Sequence, residues 1–305
     1  KKNKSALNLN DDVFFDKRRG VVISVDTYNI GTHFIDFKSP DLVIKKILRS
    51  SISDLICKGV KPKFYFISGS GNKKTFTKNN LYKISKSLKS EQNKFNIVLC
   101  GGDTTFSNKL SFTITSMGYA NKIIYRNKAK INDDIYVTGN LGDSYIGLLI
   151  LKDKINLNAS LKKYFINQYY KPEIQFNLIN KLKNFVNTSI DISDGLIADL
   201  DKMINKQKLS YKINLADIPI SNNLKKIIDL KRLKKINFIS KGDDYQILFT
   251  ASKNKRRIIK NLALKNRIKI TNIGKIQNFV KKSSIVDKKN MKIMPKNKGY
   301  IHEFY

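Results

Sequence analysis

Three features of the sequence predict a two-domain protein in which strands and helices alternate along the whole chain. The chain has 305 residues, which is enough for two ordinary domains. Short apolar runs typical of buried strands alternate with apolar stripes at helical spacing. Apolar residues thin out and charged residues become frequent near residues 119–130, where we place the seam between the domains.

The first half of the chain has two clear helix starts. Ser39-Pro40-Asp41 combines an N-cap serine, a proline at the first helical position and an aspartate in the first turn, and Gly59 is a plausible stop. Thr77 can cap a second helix that runs to about residue 93. Strands are predicted at residues 20–26, 63–68, 96–100 and 110–118, with glycine-rich turns at 68–71 and 101–104.

The second half repeats the alternation. Strands are predicted at residues 134–138, 189–192, 211–215 and 245–250, and further strands extend to about residue 285. Helices are predicted to begin near Gly142 and Asp194, to fill residues 160–186 as a pair, and to span the basic segment 253–266.

The chain carries a large excess of positive charge, with 59 Lys and Arg against 24 Asp and Glu and a net charge of +35. A basic nucleic-acid-binding protein is therefore one hypothesis. The cations, however, are 51 Lys and only 8 Arg spread along the whole chain, whereas arginine is favoured for reading bases and phosphates. We interpret the lysines as a solvated surface and expect no nucleic-acid partner.

Other features bear on the compartment. No apolar run approaches the roughly 20 residues that cross a bilayer, and residues 1–10 are too polar for a signal peptide. Cys57 and Cys100 cannot form a disulfide framework, and we interpret both as small core residues. We expect a cytoplasmic location and no membrane partner.

The acidic residues carry the functional signal. Asp accounts for 21 of them and Glu for only 3, and the short carboxylate suits sites for hard metal ions. A single aspartate beside small residues is most often a helix cap or turn residue, and Asp143 and Asp199 are candidates for that role alone. Clustered carboxylates repel one another unless cations compensate, so we expect several Mg²⁺ ions and a nucleoside triphosphate. The sequence has neither a Walker A pattern nor a protein-kinase His-Arg-Asp.

The acidic residues belong to a series of motifs, which in chain order are Asp11-Asp12, Ser24-x-Asp26, His33-Phe34, Ser53-Asp54-Leu55, Gly101-Gly102-Asp103-Thr104-Thr105, Tyr136-Val137-Thr138-Gly139-x-x-Gly142-Asp143-Ser144, Asp191-x-Ser193-Asp194-Gly195-Leu196 and Gly242-x-Asp244-Tyr245. Together these motifs resemble the thiamine-monophosphate kinase family, which belongs to the aminoimidazole-ribonucleotide-synthetase-like superfamily. The resemblance covers nearly the whole chain, and the closing Lys298-Gly299-Tyr300, with His302 and Phe304, also resembles the family's ending.

The resemblance implies an α+β fold with an N-terminal strand-rich α/β domain, residues 1–122, that binds ATP and Mg²⁺ and forms a homodimer. A C-terminal α+β domain, residues 123–305, would close over the substrate. It further implies ATP-dependent phosphorylation of thiamine monophosphate to thiamine diphosphate, with several Mg²⁺ ions as cofactors. The matching metal positions are Asp12, Ser24, Val25, Asp26, Asp54, Asp103, Asp191 and Asp194. The matching ATP contacts are Gly102, Asp103, Arg126 and Ser193, and the matching substrate contacts are His33, Asp243 and Tyr300.

Several positions depart from the family pattern. Val25 stands where the family has Thr, so only its backbone carbonyl could bind a metal ion. Asp243 stands where the family has Glu, which shortens the carboxylate on the substrate side by one methylene. Asn10 replaces the glycine of Gly-Asp-Asp, and Ser51-Ile52-Ser53-Asp54 replaces Asn-Leu-Ser-Asp.

The expected chemistry requires no general base, because a phosphate monoester with a second pKa of about 6 is mostly dianionic at neutral pH. Metal ions would neutralise and align the phosphates, and Arg126 would add a forked donor. One alternative is another ATP-using enzyme of the superfamily, such as aminoimidazole ribonucleotide synthetase or selenophosphate synthetase. The latter is disfavoured because no cysteine lies near the N-terminus beside a glycine-rich stretch.

Overall fold

The computed structural model describes residues 3–301, so His302 and Phe304 lie outside the described residues. The chain forms two compact units. The first contains the residues up to Ile56, Val60–Ile123 and Tyr170–Pro172, and the second contains Cys57–Gly59, Ile124–Tyr169 and the residues from Glu173 onward. Each unit has its own mixed β-sheet with helices, as the predicted two-domain α+β fold requires.

The first unit is built on a five-stranded sheet. Its strands are β1 (Phe14–Asp16), β2 (Val21–Asn29), β3 (Pro62–Gly71), β4 (Val98–Phe106) and β5 (Ser111–Tyr119), and its helices are α1 (Pro40–Cys57) and α2 (Lys78–Phe95), after a short 3-10 segment at Lys4–Leu9. The strand order is β1-β2-β5-β3-β4. Strands β3 and β4 run parallel, whereas the other neighbours are antiparallel. The strand β4 is therefore at one edge of the sheet.

Helix α1 supplies much of the core of the first unit. It begins at Pro40, as the Ser-Pro-Asp signal predicts. Its apolar residues Val43, Ile47, Leu48 and Ile52 have no exposed surface. Burying each such side chain contributes about 1.5–3 kcal/mol of transfer free energy, so this stripe is a major source of the unit's stability.

Two glycine-rich segments predicted as turns are strands, so that interpretation of the sequence was wrong. Residues 68–71 complete β3, and residues 101–104 lie inside β4. A Cβ atom on Gly102 would lie 1.7 Å from the carbonyl oxygen of Ile67 in β3. The glycine is therefore required by the close approach of two backbones, which a local sequence signal cannot distinguish from a turn.

Thr77 is the N-cap of α2, and we expect Thr77→Ala to destabilise the protein by about 1 kcal/mol. Its hydroxyl accepts a hydrogen bond from the backbone N–H of Asn80 at 3.2 Å, which satisfies one donor that the helix cannot. The matched variant Thr77→Ser keeps the acceptor and should retain most of the stability. Urea unfolding of the two variants checks this, and equal loss in both would show that the methyl group matters rather than the cap.

The second unit contains a six-stranded sheet with the order β11-β8-β10-β6-β9-β7. The strands are β6 (Asp134–Thr138), β7 (Thr188–Asp191), β8 (Leu209–Asn214), β9 (Ile247–Ala251), β10 (Ile270–Asn278) and β11 (Ser284–Val286). The helices are α3 (Asp143–Leu151), α4 (Ala159–Tyr170), α5 (Ile179–Leu182), α6 (Leu196–Met203), α7 (Asn222–Leu230), α8 (Ile236–Ile239) and α9 (Arg256–Asn266). Among the residues described, no helix is both long and apolar enough to cross a membrane.

The core of the second unit lies between the sheet and α6. Its members Ile135, Ile190, Leu196, Leu200 and Leu248 are almost completely buried. Strands β6, β7 and β9 are buried along their whole length, and β6 and β9 each carry three consecutive large hydrophobic residues, Ile135–Val137 and Ile247–Phe249. Strand β1 and helices α7 and α8 are additional to the elements predicted from sequence.

Candidate active site

In the first unit, one face of β2 presents oxygen donors to the end of α1. Side chains alternate along a strand, so Ser24, Asp26 and Tyr28 share the inner face of β2. The Ser24 hydroxyl donates a hydrogen bond to Oδ2 of Asp54 from α1. The Tyr28 hydroxyl donates to Oδ2 of Asp26 at 3.1 Å. Two carboxylates predicted as metal ligands, together with Ser24, are thereby held at one place.

The electrostatics of this cluster match a site that needs cations. Burial raises the pKa of Asp26 to about 6, although the hydrogen bond from Tyr28 opposes the shift. Burial also raises the pKa of Tyr28, and the negative charges of Asp26 and Asp54 add to that increase. Because the raised pKa of Asp26 reflects the cost of its buried charge, a divalent cation at this position would favour the ionised carboxylate.

Two further predicted site residues, His33 and Val25, lie next to this cluster: His33 contacts Tyr28, and Val25 is between Ser24 and Asp26 in β2. Nδ1 of His33 accepts the backbone N–H of Asn29 at 2.9 Å, which places the ring proton on Nε2 when the imidazole is neutral. The His33 ring meets the Tyr28 ring edge to face, with centroids 5.7 Å apart. The side chain of Val25 is on the opposite, outer face of β2 and is 60% exposed, which leaves only its backbone near the inner face.

Asp12 lies in the segment before β1, and its backbone N–H donates to Oδ1 of Asp11 at 2.9 Å. Asp26 lies within β2, and Asp54 lies within the last turn of α1. A carboxylate near a helix C-terminus is opposed by the helix dipole, so Asp54 is not explained as a helix cap.

Asp103 is not on the same face of the sheet as Asp26. In the strand register Asp103 pairs with Ser68, and Ser68 pairs with Thr113. The Thr113 hydroxyl is hydrogen bonded to Thr27 on the outer face of β2, at 2.9 Å. Asp103 is exposed, and its Oδ1 accepts the N–H of Thr104 at 2.7 Å. The fold of one chain therefore holds Asp103 on the outer face and Asp26 on the inner face.

In the second unit, the segment between β7 and α6 carries the acidic motif. Asp191 ends β7 and is almost completely buried. Oδ2 of Asp199 accepts the backbone N–H groups of Asp194 and Gly195, each at 3.0 Å. Asp199 therefore satisfies backbone donors at the start of α6, which is a structural role of the kind predicted for it.

A lysine joins these carboxylates. Nζ of Lys202 donates to Oδ2 of Asp194 and lies 3.6 Å from Oδ1 of Asp199. Burial raises the pKa of Asp199 to about 7, the charge of Lys202 opposes this shift, and the charges of Asp194 and Asp191 add to it. The positive charge of Arg126 also acts on Lys202, so Arg126 belongs to the same neighbourhood. No local sequence signal predicts this role of Lys202, because nothing distinguishes it from the 50 other lysines.

The two predicted substrate positions of the second unit lie against the same segment. Asp243 donates its backbone N–H to the carbonyl of Ser193 at 2.9 Å, and Tyr300 donates its own to the carbonyl of Asp194 at 2.8 Å. Gly242 has φ +73°, and a Cβ there would lie 2.1 Å from the Ser193 carbonyl oxygen. Within this unit the fold therefore brings Asp243 and Tyr300 to Ser193 and Asp194.

Asp143 has a structural role, and the two cysteines differ in their burial. Asp143 begins α3 and accepts hydrogen bonds from Tyr164 and Ser221, each at 2.7 Å. Burial raises the pKa of Asp143, and the two hydroxyl donors oppose that rise. Cys57 is buried as expected, but the interpretation of Cys100 as a core residue was wrong, because it is exposed on the edge strand β4.

A family match over the first unit and a similar solved structure define the fold class of the protein. Residues 9–120 match the family described as AIR synthase related protein, N-terminal domain. A solved structure, that of AaThiL complexed with AMPPCP and TMP, resembles this fold with a TM-score of 0.83 at 23% identity, over 96% of this chain and 91% of that chain. The protein therefore has the two-domain fold of the aminoimidazole-ribonucleotide-synthetase-like superfamily.

Two sequence relatives show which family of this superfamily the chain belongs to. The thiamine-monophosphate kinase of Buchnera aphidicola subsp. Acyrthosiphon pisum is 36% identical over 94% of this chain and 88% of its own length. That of Buchnera aphidicola subsp. Schizaphis graminum is 34% identical over 99% of this chain and 94% of its own length. The chain belongs to the thiamine-monophosphate kinase family, which confirms the resemblance seen in its motifs.

Proposed function

We propose that this chain catalyses the ATP-dependent phosphorylation of thiamine monophosphate to thiamine diphosphate. The observation that carries the proposal is the 36% identity to a thiamine-monophosphate kinase across 94% of this chain. The carboxylates in both units, which occupy the matching motif positions, support it. A related fold has been solved with AMPPCP and TMP bound, and the first of these is a non-hydrolysable analogue of ATP.

The reaction places electrostatic rather than acid–base demands on the protein. The dianionic phosphate of thiamine monophosphate attacks the γ-phosphorus of ATP in line, and the bond to the bridging oxygen of ADP breaks. The nucleophile needs no deprotonation, so no residue is assigned as a general base. The chain must instead hold two polyanions together in an attack geometry.

We further propose that Mg²⁺ binds oxygen donors of each unit: Asp12, Ser24, Asp26 and Asp54 with the carbonyl of Val25 in the first, and Asp191 in the second. The donor chemistry fits, because carboxylate, hydroxyl and carbonyl oxygens are the ligands that hard divalent cations take. The raised pKa of Asp26 supports a cation at its side chain. When bound, the ions would supply the positive charge that neutralises the phosphates.

The remaining motif residues have proposed roles in binding. Gly102, Asp103, Arg126 and Ser193 are proposed to contact ATP, with Arg126 offering a forked guanidinium to phosphate oxygens. His33, Asp243 and Tyr300 are proposed to contact thiamine monophosphate. Nε2 of neutral His33 can donate to an anionic substrate, since its Nδ1 already accepts from Asn29. Tyr300 is 45% exposed, and its aromatic ring can stack on a planar ring of the substrate.

We propose that the chain is a homodimer through the outer face of the first sheet. That face exposes large apolar side chains, with Val25 at 60%, Tyr119 at 50% and Phe66 at 40%. Val25 and Phe66 lie on either side of Thr115 in the strand register. Large exposed apolar patches mark interaction sites, and an edge strand such as β4 is a natural pairing surface. Because one chain holds Asp103 and Asp26 on opposite faces of the sheet, we propose that the Asp103 carboxylate acts in the site of the partner copy.

Mixing two inactive variants tests this arrangement. If Asp103 acts in the partner's site, a random mixture of Asp54→Asn and Asp103→Asn chains contains heterodimers with one intact site each. The expected turnover is about a quarter of wild type, although each variant alone is nearly inactive. The measurement is the rate after joint unfolding and refolding, with the two variants refolded separately as controls. No recovery in a mixture that sediments as a dimer would place both carboxylates in the same chain's site.

A direct assay tests the activity itself. The purified chain is supplied with ATP, Mg²⁺ and thiamine monophosphate, and thiamine diphosphate is separated by chromatography. Thiamine and a nucleoside monophosphate serve as control acceptors. ATP consumption without thiamine diphosphate would point to another superfamily reaction, and tight, salt-dependent binding of nucleic acid without turnover would favour the basic-protein alternative. A cytoplasmic location remains our proposal, supported by ATP as co-substrate and by the reduced thiols of Cys57 and Cys100.

A further inference from the structure

Lys202 is a cation in direct contact with the acidic motif between β7 and α6. It lies on α6, three residues after Asp199, and its ammonium contacts Oδ2 of Asp194 and Oδ1 of Asp199. The Asp199 side chain is 1% exposed and that of Asp194 is 26% exposed, so the lysine neutralises carboxylates that are largely removed from solvent. Ordinary surface ion pairs join two exposed side chains and have little effect on stability.

The position of this ammonium matters because Asp194 matches a metal-binding position of the family. Building on the proposed function, we propose that Lys202 takes the place of a metal ion at Asp194 in this chain. In this arrangement the ammonium, rather than Mg²⁺, neutralises Asp194 and Asp199. The chain then binds one divalent ion fewer than its acidic motifs suggest.

Local charge supports this assignment. The positive charge of Arg126 already acts on Lys202, so a divalent ion at Asp194 would meet two cationic side chains as well as the carboxylates. An ammonium has three donors and no acceptor, which suits it to a position beside Oδ2 of Asp194 and Oδ1 of Asp199.

The geometry of Asp199 points the same way. Its Oδ2 accepts two backbone N–H groups at the start of α6, each at 3.0 Å, which leaves Oδ1 turned toward Lys202. This Oδ1 has no hydrogen-bond partner among the described residues, and the ammonium of Lys202 lies 3.6 Å from it. A carboxylate that caps a helix with one oxygen and faces an ammonium with the other is not arranged to join a metal ion with Asp194.

Counting bound Mn²⁺ tests the proposal without relying on turnover. Mn²⁺ takes the same oxygen ligands as Mg²⁺, and the free ion is measured by electron paramagnetic resonance. The full chain is titrated with Mn²⁺ in the presence of AMPPCP. We expect Lys202→Met to bind one more ion per chain than wild type, and Lys202→Arg to bind the wild-type number. The variant Lys206→Met, which removes the same charge from an exposed lysine nearby, should also leave the number unchanged.

A second variant protects the test against misfolding of Lys202→Met. Asp194→Asn should bind the wild-type number of Mn²⁺ ions, because Asp194 holds the lysine and no ion. Loss of one ion in Asp194→Asn would overturn the proposal, as would an unchanged count in a folded Lys202→Met protein. Failure of the proposed function appears differently, as an absence of thiamine diphosphate formation in the wild-type chain whatever its metal count.

Discussion

Replacing Asp54 with Asn should lower the turnover of thiamine monophosphate by about a thousandfold, because the change removes one full negative charge from a proposed metal site. The side chain keeps its size, and its oxygen can still accept the hydrogen bond from Ser24. The loss is therefore expected from charge rather than shape. The measurement is the steady-state rate of thiamine diphosphate formation at saturating Mg²⁺ and ATP.

The same variant should leave the protein without bound metal folded and as stable as wild type, or more stable by up to about 1 kcal/mol. Asp54 lies in the last turn of α1, where the helix dipole disfavours a negative charge, and it is close enough to Tyr28 to raise the pKa of that group together with Asp26. Removing its charge relieves both effects.

Asp41 in the first turn of α1 provides a matched control. The helix dipole favours a negative charge there, so Asp41→Asn should cost a few tenths of a kcal/mol, roughly, and leave turnover unchanged. Thermal melting of both variants, with and without Mg²⁺ and AMPPCP, completes the comparison. Near-normal turnover in Asp54→Asn would refute its metal role, and a collapse of its stability would make Asp54 a structural residue.

The elements that the sequence predicts well are those specified by local signals. Helix α1 begins at Pro40 because an N-cap serine, a proline and an acidic first turn coincide there. Helix α2 begins after Thr77, whose hydroxyl satisfies a backbone donor within the same turn. Both signals act over a few residues, so no knowledge of the rest of the fold is needed.

The errors arise where the deciding contact is distant in sequence. Residues 101–104 have the composition of a turn, but their glycines are needed because β4 lies against β3, whose Ile67 is more than 30 residues away. The three-residue strand β1 pairs with β2 and has no periodic pattern of its own. Tertiary pairing of this kind overrides local propensity.

The candidate site follows the same division. The residue types and their order predict carboxylates that suit Mg²⁺, but the face on which each one lies depends on strand register. Asp26 and Asp103 are both within strands, and a shift of one residue would exchange the two faces. Register is fixed by pairing across β5 and β3, so the separation of these two side chains could not be predicted from their motifs.

The second large effect concerns a buried ion pair in the first unit, where Arg49→Met should lower the free energy of unfolding by about 3–5 kcal/mol. The Arg49 guanidinium donates to both carboxylate oxygens of Glu91, at 2.7 and 3.0 Å. The two side chains are only 8% and 2% exposed. Removing the guanidinium leaves the carboxylate of Glu91 buried without its counter-charge, and solvent cannot compensate at that depth.

The double variant Arg49→Met with Glu91→Leu should recover most of this loss. Replacing both members of a buried pair with apolar residues is often neutral or stabilising, because neither desolvated charge remains. Recovery should be incomplete by about 1 kcal/mol, since Arg49 also donates to the carbonyl oxygen of Pro172 at 3.2 Å and that acceptor would lose its partner. Urea unfolding followed by circular dichroism measures both variants. A single variant as stable as wild type, or a double variant no better than the single one, would show that the pair's burial does not govern the stability of this unit.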